Sequence, residues 1–109
     1  MTTRPDTLQG SLPLLVLTIL ARRGPLHGYA ITAHIQRLSD ELRVEEGSLY
    51  PALHRMAEAG WIKARYITTA HNRRARSYEI TAKGRRRLGV EEQRWRSTTE
   101  AINYVLKHA

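Results

Sequence analysis

The chain has no cysteine among its 109 residues. That excludes a disulfide framework, a cysteine-ligated zinc site and thiol catalysis. It has no phenylalanine, and its few aromatic residues are not spaced as a stacking platform for single-stranded RNA. Long apolar runs are also missing. The longest, Leu12 to Ala21, is interrupted by a proline and a threonine and is about half of the roughly 20 residues a bilayer span requires. The first apolar stretch follows an acidic residue and lacks a cleavage-site pattern, so no secretory signal is expected and the chain reads as soluble and cytoplasmic. Acidic residues are scarce beside basic ones. Ten Asp+Glu face 18 Lys+Arg, a formal charge of +8 that points to a polyanionic partner. There is no Gly-rich phosphate loop, no metal-spaced cluster and no Ser/His/acid set in a catalytic context, so neither an enzyme nor a cofactor or metal site is expected. His27 and His34 stand two helical turns apart with no acid or cysteine near enough in sequence to complete a coordination sphere.

What is present fits one small domain, 41% hydrophobic. Residues 1–10 are polar, carry Pro5 and Gly10, and read as a flexible arm. Ser11 can cap a first helix, with Pro13 tolerated in its first turn. Leu12, Leu14, Leu15, Val16, Leu17, Ile19 and Leu20 cover nearly its whole circumference, so it must be buried on several sides, one of which a second subunit could supply. Gly24-Pro25 ends it.

A second helix is expected from His27 to Ser39, with Ile31, Ile35 and Leu38 on one face. A polar connector with a short extended piece at Arg43-Val44 follows. A third helix starts near Gly47-Ser48, with Pro51 in the turn whose N–H groups are free and Gly60 as its stop. Its apolar stripe is Leu49, Leu53 and Met56. At 100° per residue, Tyr50, Pro51, His54 and Glu58 fall on the far side, flanked by Ser48 and Arg55.

The pattern then changes to strand. Trp61 to Thr68 and Arg76 to Ile80 read as a hairpin with a basic loop at its tip. Thr81 caps a last helix of roughly 25 residues, along which Leu88, Trp95 and Ile102 recur at a partial heptad, supported by Val105 and Leu106. The fold class is therefore mainly α with a small β-hairpin. The division is an arm at 1–10, a winged helix-turn-helix at 11–81 and a C-terminal dimerisation helix at 82–109. The last helix has no place in so small a core, and its stripe and the spare sides of the first helix are expected to bury each other between subunits. Leu12, Leu15, Leu88, Trp95, Ile102 and Leu106 would form that interface.

Three segments resemble the PadR family of bacterial transcriptional regulators: His27-Gly28-Tyr29-Ala30-Ile31, then Val44-Glu45-Glu46-Gly47-Ser48-Leu49-Tyr50-Pro51-Ala52-Leu53, then Gly60-Trp61-Ile62. Asn72-Arg73-Arg74-Ala75-Arg76-Ser77-Tyr78-Glu79-Ile80-Thr81-Ala82-Lys83-Gly84 continues the match through the hairpin. The resemblance runs from about Leu8 to Leu106, and the short last helix is similar to that of the smaller subgroup, which dimerises through a single C-terminal helix. It implies a homodimeric repressor of operator DNA near its own or a neighbouring gene, released by a small molecule.

On that reading the third helix enters the major groove by its N-terminal end. Ser48 and Tyr50 offer hydroxyls to phosphates or base edges, and His54 and Arg55 are candidates for base contact. Tyr50 could instead be a packing residue and Pro51 a helix starter. His34 and Arg37 are candidate backbone contacts from the second helix. Arg73, Arg74 and Arg76 crowd the hairpin tip with no nearby acid and are expected on DNA, along the backbone or in a narrow minor groove. Asn72 is expected to shape the turn. Lys83, Arg85, Arg86 and Arg87 open the last helix and read equally as its solvated face. Trp95 is either a packed interface aromatic or, with its symmetry mate, one wall of a site for a planar aromatic effector. Trp61 is a core anchor. Two other readings stay open: a sequence-tolerant architectural DNA-binding protein, and a ligand- or partner-binding dimer without strong DNA affinity.

Overall fold

In a computed structural model of the chain, residues 4–68 and 70–109 are described, positions 4–9 by their backbone alone. The order is α1 (Arg4–Arg23), β1 (Leu26–His27), α2 (Gly28–Leu38), α3 (Glu46–Glu58), β2 (Ile62–Thr68), β3 (Arg74–Ile80) and α4 (Ala82–His108). α2 and α3 form the helix-turn-helix, and β2 and β3 the hairpin.

Each stop lies at the residue whose chemistry demands it. Gly24 (φ 85°) follows α1 and donates its N–H to Leu20 O at 3.1 Å. Gly60 (φ 84°) follows α3, where Gly60 N–H reaches Ala57 O and Trp61 N–H reaches Met56 O, both at 3.0 Å. That pair of bonds is a Schellman closure, and its left-handed residue favours glycine. Asn72 holds φ 60° in the hairpin loop, a conformation asparagine tolerates better than most residues.

The core is built from Val16, Leu17, Ile19 and Leu20 of α1, Ile31 and Ile35 of α2, Leu49, Leu53 and Met56 of α3, Ile62 of β2 and Tyr78 of β3. Trp61, Leu15, Ile80 and Leu88 pack against it half-buried. At roughly 1.5–3 kcal/mol for each large apolar side chain, this cluster supplies most of the drive to fold.

Four expectations are corrected. α1 begins at Arg4, so positions 4–10 are helical where an arm was expected, while residues 1–3 lie outside the described residues. Pro5 falls in the first turn, where its missing N–H costs nothing, and α1 packs against α4. The sheet has three strands in the order β1-β3-β2, because Leu26 and His27 pair antiparallel with Tyr78 and Ser77. Two residues are too few to show a period. Pro51 lies in the second turn of α3, past the free N–H groups, so the Gly47 carbonyl loses its helical donor.

The fourth correction concerns the last helix. The first half of α4 folds against its own subunit, lying along α1. Leu12 is fully buried and so faces inward rather than toward a second copy, while Leu15 and Leu88 pack on the subunit's own core and remain partly exposed. Trp95 is half exposed at the edge of that contact, and beyond it Ile102, Val105 and Leu106 are exposed.

Candidate nucleic-acid interface

α3 presents two faces. Leu49, Ala52, Leu53 and Met56 are buried, and Gly47, Tyr50, Pro51, His54, Arg55 and Glu58 are exposed, with Ser48 between them. The outer face is partly self-paired, since His54 Nε2 lies 3.3 Å from Glu58 Oε2. Both groups are exposed, so the pair is weak and can be opened by a competing anion or base edge.

Tyr50 has a structural partner. Its ring lies over the first turn of α2, where a Cβ on Gly28 would meet Tyr50 Cε1 and Oη at 2.8 Å. Burial first, then the Glu46 carboxylate and Tyr78, hold its phenol above the usual value of 10.0, which keeps the hydroxyl protonated. It is still 41% exposed, so packing and a hydroxyl offered to solvent coexist. On α2, Arg37 Nη2 approaches His34 Nδ1 at 3.1 Å, placing both on an exposed edge of the helix pair. His27 precedes α2 and does not open it. It sits in β1 with Nδ1 3.4 Å from the Arg76 carbonyl, tying the base of α2 to the hairpin.

Register decides what the hairpin displays. Pairs Ile62↔Ile80, Ala64↔Tyr78, Tyr66↔Arg76 and Thr68↔Arg74 share one face of the sheet. At its base this face is covered by the helices, where Ile62 and Tyr78 are buried. Farther out the same face emerges as Tyr66, Arg76 and Arg74. The opposite face carries Arg65 and Glu79, whose Nη2 and Oε1 lie 3.1 Å apart. The only hairpin acid is thus spent on the far side, and two arginines stand on the side that continues from the helix-turn-helix.

Those arginines are not loose. Arg74 lies over the Tyr66 ring at 4.3 Å from its centroid and Arg76 at 5.1 Å, while Arg76 Nη2 donates to the Tyr66 hydroxyl at 2.5 Å. The Arg76 hydrogen bond leads the effects that lower the Tyr66 phenol from 10.0, and bonds to Tyr66 and Tyr78 raise Arg76 further above its usual range. Arg73 stands exposed in the loop before β3. Tyr66 carries no signal in the sequence by itself, because its place opposite Arg76 depends on a register that only the paired strands define.

The wing root and α4 meet at Thr81. Its hydroxyl donates within reach of the Gly60 and Trp61 carbonyls, at 2.6 and 3.0 Å, and accepts from Gly84 N–H at 3.0 Å. Arg87 lies over the Trp61 ring at 4.6 Å and bonds buried Glu91 through Nε (2.9 Å) and Nη2 (2.7 Å). Lys83, Arg85 and Arg86 are exposed. Trp95, 49% exposed, borders a crevice of about 240 Å³ between α1 and α4, with Ser11, Leu14, Glu91, Arg94 and Thr98 among its walls. Among the described residues no cluster of three or more His, Cys, Asp or Glu could hold a metal ion, and no helix is long and apolar enough to cross a membrane.

The sequence matches the transcriptional regulator PadR-like family over residues 16–90. Among solved structures it is similar to a transcriptional regulator from Clostridium thermocellum, at 29% identity over 94% of this chain and 97% of that one, with a TM-score of 0.83. It is similar to a PadR family transcription regulator from Clostridium difficile, at 30% identity over 88% and 98% of the two chains, TM-score 0.72. A PadR-like transcriptional regulator from Bacillus cereus matches at 27% identity over 93% and 96%, TM-score 0.75. No curated protein matches. Taken with the helix-turn-helix, the basic wing and the extended family match, the chain belongs to the PadR-like family, whose members are transcription regulators and not enzymes, and is a winged-helix DNA-binding regulator.

Proposed function

We propose that this regulator works as a homodimeric repressor that leaves its operator when a small planar aromatic molecule binds. The observation that carries the reading is the uncovered end of α4, where Trp95, Ile102, Val105 and Leu106 are exposed on a helix whose first half is already packed. A second copy crossing that end supplies the missing cover symmetrically and sets two recognition helices for two half-sites. Ser48, Tyr50, His54 and Arg55 then address the major groove, Arg73, Arg74 and Arg76 the flanking backbone or minor groove, and His34 and Arg37 the backbone beside α2. The crevice at Trp95 adjoins the same uncovered end, so a ligand seated there changes how the two copies cross.

The test is fluorescence anisotropy at physiological salt, comparing DNA from upstream of the protein's own gene with a scrambled duplex of equal length. A preference of about 10³-fold or more supports a specific regulator. Adding aromatic compounds while following Trp95 emission then tests release. Equal affinity for both duplexes, with no change on adding such compounds, would favour the architectural reading instead.

A further inference from the structure

We infer that Tyr66, Arg74 and Arg76 form one phosphate-binding site on the helix-side face of the wing, with Tyr66 as the residue that positions both guanidinium groups. The inference rests on the reading that the wing meets DNA, and adds to it a residue to which that reading gives no part.

Three observations converge. Arg74 and Arg76 both lie against the Tyr66 ring, at 4.3 and 5.1 Å from its centroid, so one ring serves as a platform for two cations. Arg76 also donates to the Tyr66 hydroxyl, which fixes the ring and that arginine against each other. The strand register puts all three residues on the face that runs into the buried Tyr78 at the base of the wing. The group is exposed, Tyr66 by 53%, and no acid shares its face because Glu79 pairs with Arg65 on the other side.

The chemistry of the ligand follows. Two guanidinium groups gathered at one ring repel each other, and an oxygen-rich anion beside them relieves that repulsion. The Tyr66 hydroxyl accepts from Arg76 and keeps its own proton to donate. The set therefore offers cationic donors and a neutral one to a single acceptor group, which a backbone phosphate supplies. Without the ring, each long arginine must surrender its rotamer freedom at the moment of binding, so holding them beforehand improves affinity without adding charge.

The experiment measures duplex affinity against salt concentration for the full chain and its Tyr66→Leu, Tyr66→Phe, Arg74→Ala and Arg76→Ala variants, and for Tyr66→Leu combined with both arginine changes. Tyr66→Leu should weaken binding about 2- to 10-fold with an unchanged salt slope, since the charges remain. Tyr66→Phe should fall between Leu and the parent, because it keeps the platform and loses the hydrogen bond. Each arginine variant should weaken binding and flatten the slope by about one ion's worth. In the background lacking both arginines, Tyr66→Leu should have no further effect. If the arginine variants bind weakly but Tyr66→Leu equals the parent, or costs the same with and without the arginines, the positioning role is overturned while the wing contact stands. If the arginine variants bind as the parent does across salt, the wing contact itself fails and the site with it. Far-UV circular dichroism and thermal melting confirm folding, which these exposed positions leave intact.

Discussion

A side chain at residue 84 has nowhere to go. A Cβ there would collide with the Trp61 carbonyl and press on Ile80 Cγ1 at 2.9 Å. Gly84→Ala must therefore push α4 off the wing root, at a cost of about 1–3 kcal/mol. Gly89, in the same helix, has nothing within 4 Å of that position. Gly89→Ala should instead stabilise by about 0.5–1 kcal/mol through helix propensity. Thermal melts of the two variants should move in opposite directions. Tyr50 gives a second residue-scale expectation. Burial, Glu46 and Tyr78 raise its phenol above 10.0, so the native state holds that proton more tightly than the unfolded chain. Its contribution is whole below pH of about 10 and is lost as pH rises through the raised value. Melting midpoints should fall more steeply for the parent than for Tyr50→Phe across that window, and parallel curves would remove the effect.

At the scale of elements, α4 divides into a packed half and an uncovered half. Ile102→Glu or Leu106→Glu places a charge where a partner helix should lie, while both positions are exposed in the single chain. Sedimentation should then shift from twice the 12.5 kDa chain mass to the chain mass, with helical content unchanged. The helices and their stops were legible because period, glycine and cap chemistry are local. Leu49, Leu53 and Met56 announce α3, and Gly60 ends it. What escaped depended on partners distant in sequence. β1 is a strand only because β3 lies beside it, and α1 extends to Arg4 where a helix starting at Ser11 was expected. Leu12 is buried within its own chain, which no periodicity of α1 can reveal. In the candidate interface the outer face of α3 and the arginine-rich loop could be read directly. Tyr66 could not, since its value lies in a cross-strand register, and Glu91 shows its importance only through the burial that surrounds it.

Across the whole molecule, with principal extents of 58 × 32 × 21 Å, the wing carries Lys63, Arg65, Arg73, Arg74 and Arg76 against one acid, Glu79, while α4 opens with a second basic run at Lys83, Arg85, Arg86 and Arg87. The formal charge of +8 is therefore shared between at least two stretches of the chain, the wing and the start of α4. If a pair of subunits neutralises about 6–10 phosphates, affinity should fall by roughly 10³-fold or more between 50 and 200 mM salt. Titrations across that range measure it, and a shallow dependence would mean that the arginine-bearing face lies away from the duplex.

Thr81 also has a mechanical meaning. One hydroxyl joins the end of α3, the first wing residue and the cap of α4, so these three keep fixed angles to each other. α4 has 27 residues and is about 40 Å long. Turning the body by about 5° around its far end carries the Thr81 knot through some 3–4 Å, close to the 3.4 Å step between successive bases. The joint acts as the stiff end of a lever. In the proposed dimer, a few degrees of difference in how two such helices cross would be enough to move each recognition helix out of register with its half-site by one base.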